Sequence, residues 1–379
     1  MLNTRVCHIT TVHRPFDVRI FHRMCCSLSS NHYEVHLIAR KPKISKLNGV
    51  FLHSIPYFQN RIFRMTFGVF CAFWKCLILK PNVIHLHDPE LIPIGILFKA
   101  LGAKVIFDMH ELVSSQLKDK EYLKANIFNF IIDPLYSFFE FLALKYFDSI
   151  VLAEEGYFKP LKKKYYNFKQ KFCIIRNYPS KGQILNIAAK PKVKGILRVV
   201  YIGGLMKVRG TRELIEAVGK IPNARLSLAG PWSCLDYRNE CESLKSFDCV
   251  DYHGYLSFEE AIRLVKKSHI AAAPLHPVTN NLLCRTTKFY EYALCKIPII
   301  LSNFRDWEQT FAGMAWFADP TDANDLHSKI IEVQNDRSKE KKINYAFQKV
   351  LELWNWEKEQ EILLHLYSRI LTHQNLCNY

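Results

Sequence analysis

Short apolar, β-branched runs alternate with longer amphipathic stretches, and this alternation restricts the fold more than any other feature of the chain. In the first half the runs are Val6–Val12, Glu34–Ala39, Val50–Ile55, Val83–Leu86, Lys104–Phe107, Ser149–Leu152 and Phe172–Ile175. Helical patterns such as Ile20–Ser29 and Leu91–Leu101 lie between them. Repeated strand-then-helix order builds a parallel sheet covered by helices on both faces, because a parallel neighbour is reached only by a crossover. Pro179–Lys194 is rich in Lys, Pro, Ala and Gly, has no sustained period and reads as a linker. Then the pattern restarts with strand Arg198–Ile202, helix Thr211–Gly219, strand Arg225–Ala229, helix Ser257–Lys267, strand Ile270–Ala273, helix Thr286–Leu294 and strand Ile297–Ser302. In Trp356–Leu371 the apolar residues Ile362, Leu363, Leu366, Tyr367 and Ile370 keep a helical period. The expected class is α/β: two Rossmann-like, doubly wound domains at 1–185 and 195–355 facing a central cleft, then a helix within 356–379. A length of 379 residues suits two domains.

Composition narrows the partners. With 14 Gly and 16 Pro the chain is not low-complexity or collagenous. The net charge is +17, and residues 1–180 hold 25 Lys+Arg against 13 Asp+Glu. A basic half suits a phosphate-bearing partner, an anionic membrane surface or nucleic acid, and equally an ordinary solvated surface. No recognition-helix, RNP-type or zinc-finger motif is present, so no nucleic acid is expected. The twelve cysteines contain no C-x-x-C spacing, and the N-terminus shows no secretory pattern. Free buried thiols in a reducing cytoplasm are expected. The stretch Met65–Leu79 is the most apolar, but it is 15 residues long with Lys75 inside it. It reads as a buried or interfacial helix, short of the ~20 residues that cross a bilayer. Ile127–Phe147 is rich in Phe but interrupted by Asp133, Pro134, Glu140 and Lys145, and is not expected to span either.

Three constellations carry chemistry. The first is Tyr201-Ile-Gly-Gly-Leu-Met-Lys-Val-Arg-Gly210, a glycine turn between a strand and a helix. Gly203, Gly204 and Gly210 permit close backbone approach, the helix offers free N–H groups, and Lys207 and Arg209 add charge. This reads as a diphosphate site, or as a turn that exists only for tight packing. The second places Lys288 and Glu291 three residues apart on one helix. They form either a surface ion pair or a site in which the carboxylate grips two sugar hydroxyls. The third comprises two strand ends, His85, His87, Asp88 and Glu90 and then Asp108, His110 and Glu111. Polar residues at strand carboxyl ends belong to the ligand crevice of such folds. The cluster also imitates a metal site, but no helix carries H-E-x-x-H and no metal is expected.

In order and spacing the chain resembles the glycosyltransferases of family 4. The resemblance rests on His13-Arg-Pro-Phe-Asp-Val-Arg-Ile-Phe21, His87-Asp-Pro-Glu90, Asp108-Met-His-Glu111, Arg176-Asn-Tyr-Pro179, the Gly203–Gly210 turn, Leu228-Ala-Gly-Pro-Trp232 and Lys288-Phe-Tyr-Glu-Tyr292. Trp354-Asn-Trp-Glu357 resembles the start of the family's return helix. The resemblance implies the GT-B fold, with a return helix packing on the first domain. It implies retaining, metal-independent transfer from a nucleotide sugar, which is a co-substrate rather than a cofactor. The donor set would be Gly203, Gly204, Lys207, Arg209, Asn281, Lys288 and Glu291, with Glu291 on the ribose. His110 would lie near the donor sugar as the catalytic candidate, and His13, Asp17, Arg19, Asp88 and Glu111 would line the acceptor side or the cleft. The acceptor would be a glycan or a lipid-diphosphate-linked saccharide in cell-surface polysaccharide synthesis. Lys159, Lys162, Lys163 and Lys164 would then face an anionic cytoplasmic membrane surface. The chain departs from the family in three places: Leu283 stands where the first of two glutamates is usual, Gly204 replaces an arginine and Arg209 a lysine. Two alternatives stay open: a sugar-nucleotide epimerase of the same fold, and an inactive homologue acting as an assembly subunit.

Overall fold

A computed structural model describes residues 4–110, 127–188 and 195–372. The chain divides into two compact units, 1–177 with 358–379, and 178–357.

The first unit is built on eight strands: β1 Arg5–Ile9, β2 Glu34–Arg40, β3 Lys46–Leu47, β4 Val50–Ile55, β5 Val83–Leu86, β6 Lys104–Met109, β7 Ser149–Leu152 and β8 Phe172–Ile174. Their order is β3-β4-β2-β1-β5-β6-β7-β8, and only the β3–β4 pairing is antiparallel. The central strands are apolar almost without interruption: Val6, Ile9, Ile84, Leu86, Val105 and Ile106 are fully buried. Helices cover both faces of such a sheet, so its strands need no polar side. The chain from β1 to β2 runs one way along the sheet, and the helices leading to β5, β6 and β7 run the other. Right-handed crossovers therefore send Arg61–Leu79, Ile92–Ala100 and Ile127–Tyr146 to one common face.

The second unit has six parallel strands: β9 Leu197–Ile202, β10 Ala224–Ala229, β11 Val250–Tyr252, β12 Ile270–Ala273, β13 Ile299–Ser302 and β14 Trp316–Ala318, in the order β11-β10-β9-β12-β13-β14. One of its buried clusters sets Phe289, Tyr290 and Phe304 with Trp307 and Phe311. The helix Phe258–Lys267 starts with a full capping box between Ser257 and Glu260, which satisfies two end N–H groups.

Most expected elements stand within one or two residues of their sequence positions. Strands β3, β11 and β14 had no counterpart in the sequence reading; at two or three residues they are too short to show a period. The first unit ends at Asn177 rather than 185, because Tyr178, Ile184 and Ile187 pack into the core of the second. The return helix, Trp356–Thr372, starts with the Trp356 N–H donating to the Pro179 carbonyl, and from Lys358 onward it belongs to the first unit. Leu363, Leu366, Tyr367 and Ile370 are buried, whereas Ile362 of the same pattern faces solvent. Arg61–Leu79 is longer than expected, at 19 residues.

Gly95 lies in Ile92–Ala100 beneath two core side chains. A Cβ there would stand 2.6 Å from both Leu86 Cδ1 and Phe147 Cζ. On an open helix Gly→Ala stabilises by about 1 kcal/mol, but overpacking a core costs about 1–3 kcal/mol. Gly95→Ala is therefore expected to lower the melting temperature in scanning calorimetry. An unchanged or raised transition would show that Leu86 and Phe147 yield freely.

Candidate functional site

In the first unit the polar groups converge at the carboxyl ends of β1, β5 and β6. Asp108, at the end of β6, is fully buried and anchors them. Arg19 grips it in bidentate fashion, Nε to Oδ2 at 2.9 Å and Nη2 to Oδ1 at 2.7 Å, and donates from Nη1 to the Ile175 carbonyl. Asp108 also meets His87 Nδ1 at 3.2 Å and His110 Nε2 at 3.0 Å. Burial alone would raise its pKa, but Arg19 and His110 hold the carboxyl well below the usual carboxylate range. Behind it, His87 Nε2 lies 2.8 Å from His8 Nδ1, and the Tyr367 hydroxyl lies 2.8 Å from His85 Nδ1. The rings of His8, His85 and His87 stack with centroids 4.7–5.1 Å apart.

Asp88 is also turned inward. It accepts from the Thr10 hydroxyl at 2.9 Å, the Thr11 N–H at 2.6 Å and the Val12 N–H at 3.2 Å, pinning the loop that follows β1. Asp17 caps Val18–Cys25 by accepting from the Arg19 and Ile20 N–H groups, and its other oxygen lies 3.6 Å from His13 Nδ1. His13 lies against His110, centroids 4.7 Å apart.

The sequence-based residues therefore separate. His13, Asp17 and His110 keep partial access to solvent, with side chains 28%, 29% and 19% exposed. Arg19 and Asp88, expected to line the acceptor side, are buried positioning groups: each finds a hydrogen-bonding partner deeper than the crevice. Glu111 lies outside the described residues. The sequence reading missed Thr10 and Thr11, which grip Asp88, His8, and Tyr367 of the return helix. Their only signal was position, at the end of a strand or on a helix's buried stripe.

Two groups bring three ligand atoms within 4.8 Å of one another: His8, His85 and His87, and His87, Asp108 and His110. Most of these atoms already hydrogen-bond within the protein, to one another, to Tyr367 or to Arg19. Among the described residues, His85 Nε2 is the buried imidazole nitrogen of these clusters with no hydrogen-bond partner.

In the second unit β9 gives way to a turn that opens at Gly203, whose φ is +140°, and closes at Gly210, φ +63°. A Cβ at Gly203 would stand 2.8 Å from Lys288 Nζ, and one at Gly210 would overlap the Pro274 carbonyl. Both glycines are thus required sterically. Thr211–Gly219 follows at once with Gly210 as its N-cap and no side-chain cap, and of its first N–H groups that of Arg212 donates to the Tyr237 hydroxyl at 3.2 Å. Thr286 caps Thr287–Leu294, which carries Lys288 and Glu291. Burial first and the Arg209 charge second lower the Lys288 pKa to about 8, while Glu291 pulls the other way. Gly203, Gly204, Arg209, Lys288 and Glu291 are thereby gathered at one strand end, and Lys207 sits exposed on the turn. Asn281 acts differently: its Nδ2 donates to the carbonyls of His276 at 2.9 Å and Val208 at 3.3 Å, clamping the turn. Beside it Asn280 Oδ1 is buried and has no hydrogen-bond partner among the described residues.

The buried imidazoles set an acid response. Burial, chiefly, lowers the pKa of His8 and His85 well below the usual value and brings His87 to about 3. Unfolded histidines titrate near pH ~6.5, so from there down to about pH 3 the unfolded chain takes up protons that the native state refuses. Stability falls as pH drops through that window. His13 opposes this: burial disfavours its charge, but Asp17 and Asp88 raise its pKa. Burial lowers His22, His53 and His253 as well, so six histidines stand against one, and the melting temperature is expected to be lower at pH 5 than at pH 7.5. Equal values would mean that the cluster accepts protons in place.

Comparison with known proteins bears on both units. Residues 184–350 match the family model for glycosyl transferases group 1. No curated protein matches. Among solved structures, sucrose-phosphate synthase from Thermosynechococcus elongatus superposes with a TM-score of 0.78 at 14% identity, covering 98% of this chain and 100% of that one. A glycosyltransferase from Rickettsia africae gives 0.75 at 14% identity, covering 99% of this chain and 100% of that one. HepE of Anabaena, solved with UDP-glucose, gives 0.70 at 11% identity, with 97% and 100% covered. The chain thus has the two-domain GT-B fold of glycosyltransferases and carries, over residues 184–350, a glycosyl transferases group 1 region.

Proposed function

We propose that this protein transfers a sugar from a nucleotide-sugar donor to a hydroxyl of a glycan or lipid-linked acceptor. The observation that carries this reading is the pairing of Lys288 with Arg209 beside the Gly203–Gly210 turn. Two neighbouring cations, one of them disfavoured by burial, form an arrangement that an anion relieves. A diphosphate would meet both cations, the N–H groups at the start of Thr211–Gly219 and a backbone kept bare by glycine. The same groups would stabilise the charge that develops on the leaving nucleoside diphosphate. Glu291, one helical turn from Lys288, would accept the ribose hydroxyls. Asn280 Oδ1, a buried acceptor without a partner, would take a hydroxyl of the donor sugar in place of the glutamate that Leu283 displaces. That HepE was solved with UDP-glucose supports a uridine donor.

The first unit would serve the acceptor. His110, partly exposed and held on Asp108, is the group there best placed to exchange a proton with an attacking hydroxyl. Retention, family 4 membership, hexosyl transfer, independence of metal and cofactor, and a cytoplasmic role in cell-surface polysaccharide synthesis complete the proposal, and rest on the motif resemblance.

Calorimetric titration with a panel of nucleoside diphosphates, UDP first, tests the donor site. At least one is expected to bind, and Glu291→Ala to weaken it about tenfold or more, since hydrogen bonds to a charged group contribute about 1.5–3 kcal/mol each. Affinity is also expected to fall as pH rises past about 8, where Lys288 loses its proton. Unchanged affinity in Glu291→Ala sinks that assignment. Binding without turnover on any acceptor would favour the inactive homologue, which Leu283 and Gly204 suggest.

A further inference from the structure

The helix Arg61–Leu79 has two opposite apolar sides, and the sugar-transfer reading uses neither. Val69, Ala72 and Cys76, spaced i, i+3 and i+7, are buried, and the helix packs on β2 and β4. Phe63, Phe67, Phe70, Trp74 and Ile78, spaced i, i+4, i+7, i+11 and i+15, lie on the other side and are 50%, 55%, 58%, 49% and 75% exposed. By length and composition this 19-residue helix could cross a membrane, yet only 22% of its most apolar stretch is buried. A helix in the core of a soluble domain buries such a face. In this structure its inner stripe covers the sheet.

The patch continues onto the neighbouring helices of the same sheet face. Phe73 meets Phe98 of Ile92–Ala100 with centroids 5.1 Å apart, and that helix packs on Ile127–Tyr146. Leu97, Phe138 and Phe141 extend the exposed apolar surface. The charges on the helix itself are of one sign: residues 61–80 include Arg61, Arg64, Lys75 and Lys80 and no carboxylate. Arg64 reaches Glu90, at 2.8 Å, and the unit as a whole keeps its large basic excess. A second copy of the chain is a poor occupant, because a two-fold contact would set these cations against themselves. An aromatic face on a helix that carries cations and no acid of its own matches the interface of an anionic bilayer.

We propose that the exposed face of Arg61–Leu79 docks the first unit onto an anionic lipid surface, with the helix lying in the interface plane. This differs from the Lys159–Lys164 attachment expected from sequence: Lys164 is engaged with Glu140 at 2.8 Å, and the apolar anchor lies on another helix. The inference does not depend on the donor site, and a failure of UDP binding would leave it untouched.

Vesicle flotation of the full chain tests it, with phosphatidylcholine alone and with phosphatidylcholine doped with phosphatidylglycerol. The protein is expected to float with the doped vesicles and to be released by high salt. The triple substitution Phe67→Ser, Phe70→Ser and Trp74→Ser is expected to lower the bound fraction about tenfold while leaving the melting temperature unchanged, since these side chains are exposed. Trp74 emission is expected to shift to the blue on the doped vesicles, and the shift to vanish in Trp74→Phe. Full binding by the triple variant overturns the proposal, as does a loss confined to Lys162→Glu with Lys163→Glu. So does a dimer, seen by sedimentation, that the triple variant abolishes. Equal flotation with both vesicle types overturns the anionic surface.

Discussion

The buried pair of Arg19 and Asp108 holds the strand-end region of the first unit together. Taking two charges out of water is costly, and the cost is offset here by a bidentate contact, a third guanidinium bond to the Ile175 carbonyl and two imidazoles on the carboxylate. Removing either partner would leave a buried charge without its counterion, a loss of about 3–5 kcal/mol in comparable cases. The pair ties the helix after β1 to the ends of β6 and β8. His87 extends the network to His8, and Tyr367 brings in the return helix. The orientation of His110, and through it the contact with His13, follows from this one anchor.

The second unit solves a different problem by a different means. Where the first arranges side chains around a buried anion, the second clears space along a backbone. Gly203 and Gly210 leave no Cβ where Lys288 and Pro274 approach, and Asn281 fastens the turn from outside. Arg209 and Lys288 end up near each other, and burial first, with the Arg209 charge second, lowers the Lys288 pKa to about 8. One unit holds its own anion, and the other sets two cations beside a glycine turn. The proposed roles of acceptor side and donor side follow from that division.

The basic excess of the chain also divides. Arg209 and Lys288 belong to the glycine turn. Arg19 is neutralised within the core, and Lys99 and Lys164 are paired with Asp148 and Glu140. Of the cations around Arg61–Leu79, Arg64 is paired with Glu90, whereas Arg61, Lys75 and Lys80 form no ion pair among the described residues. Charge alone did not point to that helix; the combination of its unburied apolar face with one sign of charge does.

Much of the architecture was legible in the sequence, because the periods that mark strands and helices are local and survive without knowledge of partners. The two sheets, the restart at β9, the glycine turn, the Lys288–Glu291 helix and the periodic return helix were all visible in this way. The short strands β3, β11 and β14 were not, and neither was the end of the first unit, which depends on Tyr178 and Ile184 choosing a core. The direction of polar residues was equally hidden. Asp88 and Arg19 look like crevice residues by position, yet they turn inward, Arg19 to an aspartate 89 residues away. His85 finds its hydroxyl partner 282 residues on. The order and kind of elements were therefore set by neighbouring residues along the chain. Which polar groups became buried supports, which stayed open to solvent, and which apolar face was left uncovered was decided only when distant segments packed together, because burial and hydrogen-bond pairing are properties of that packing.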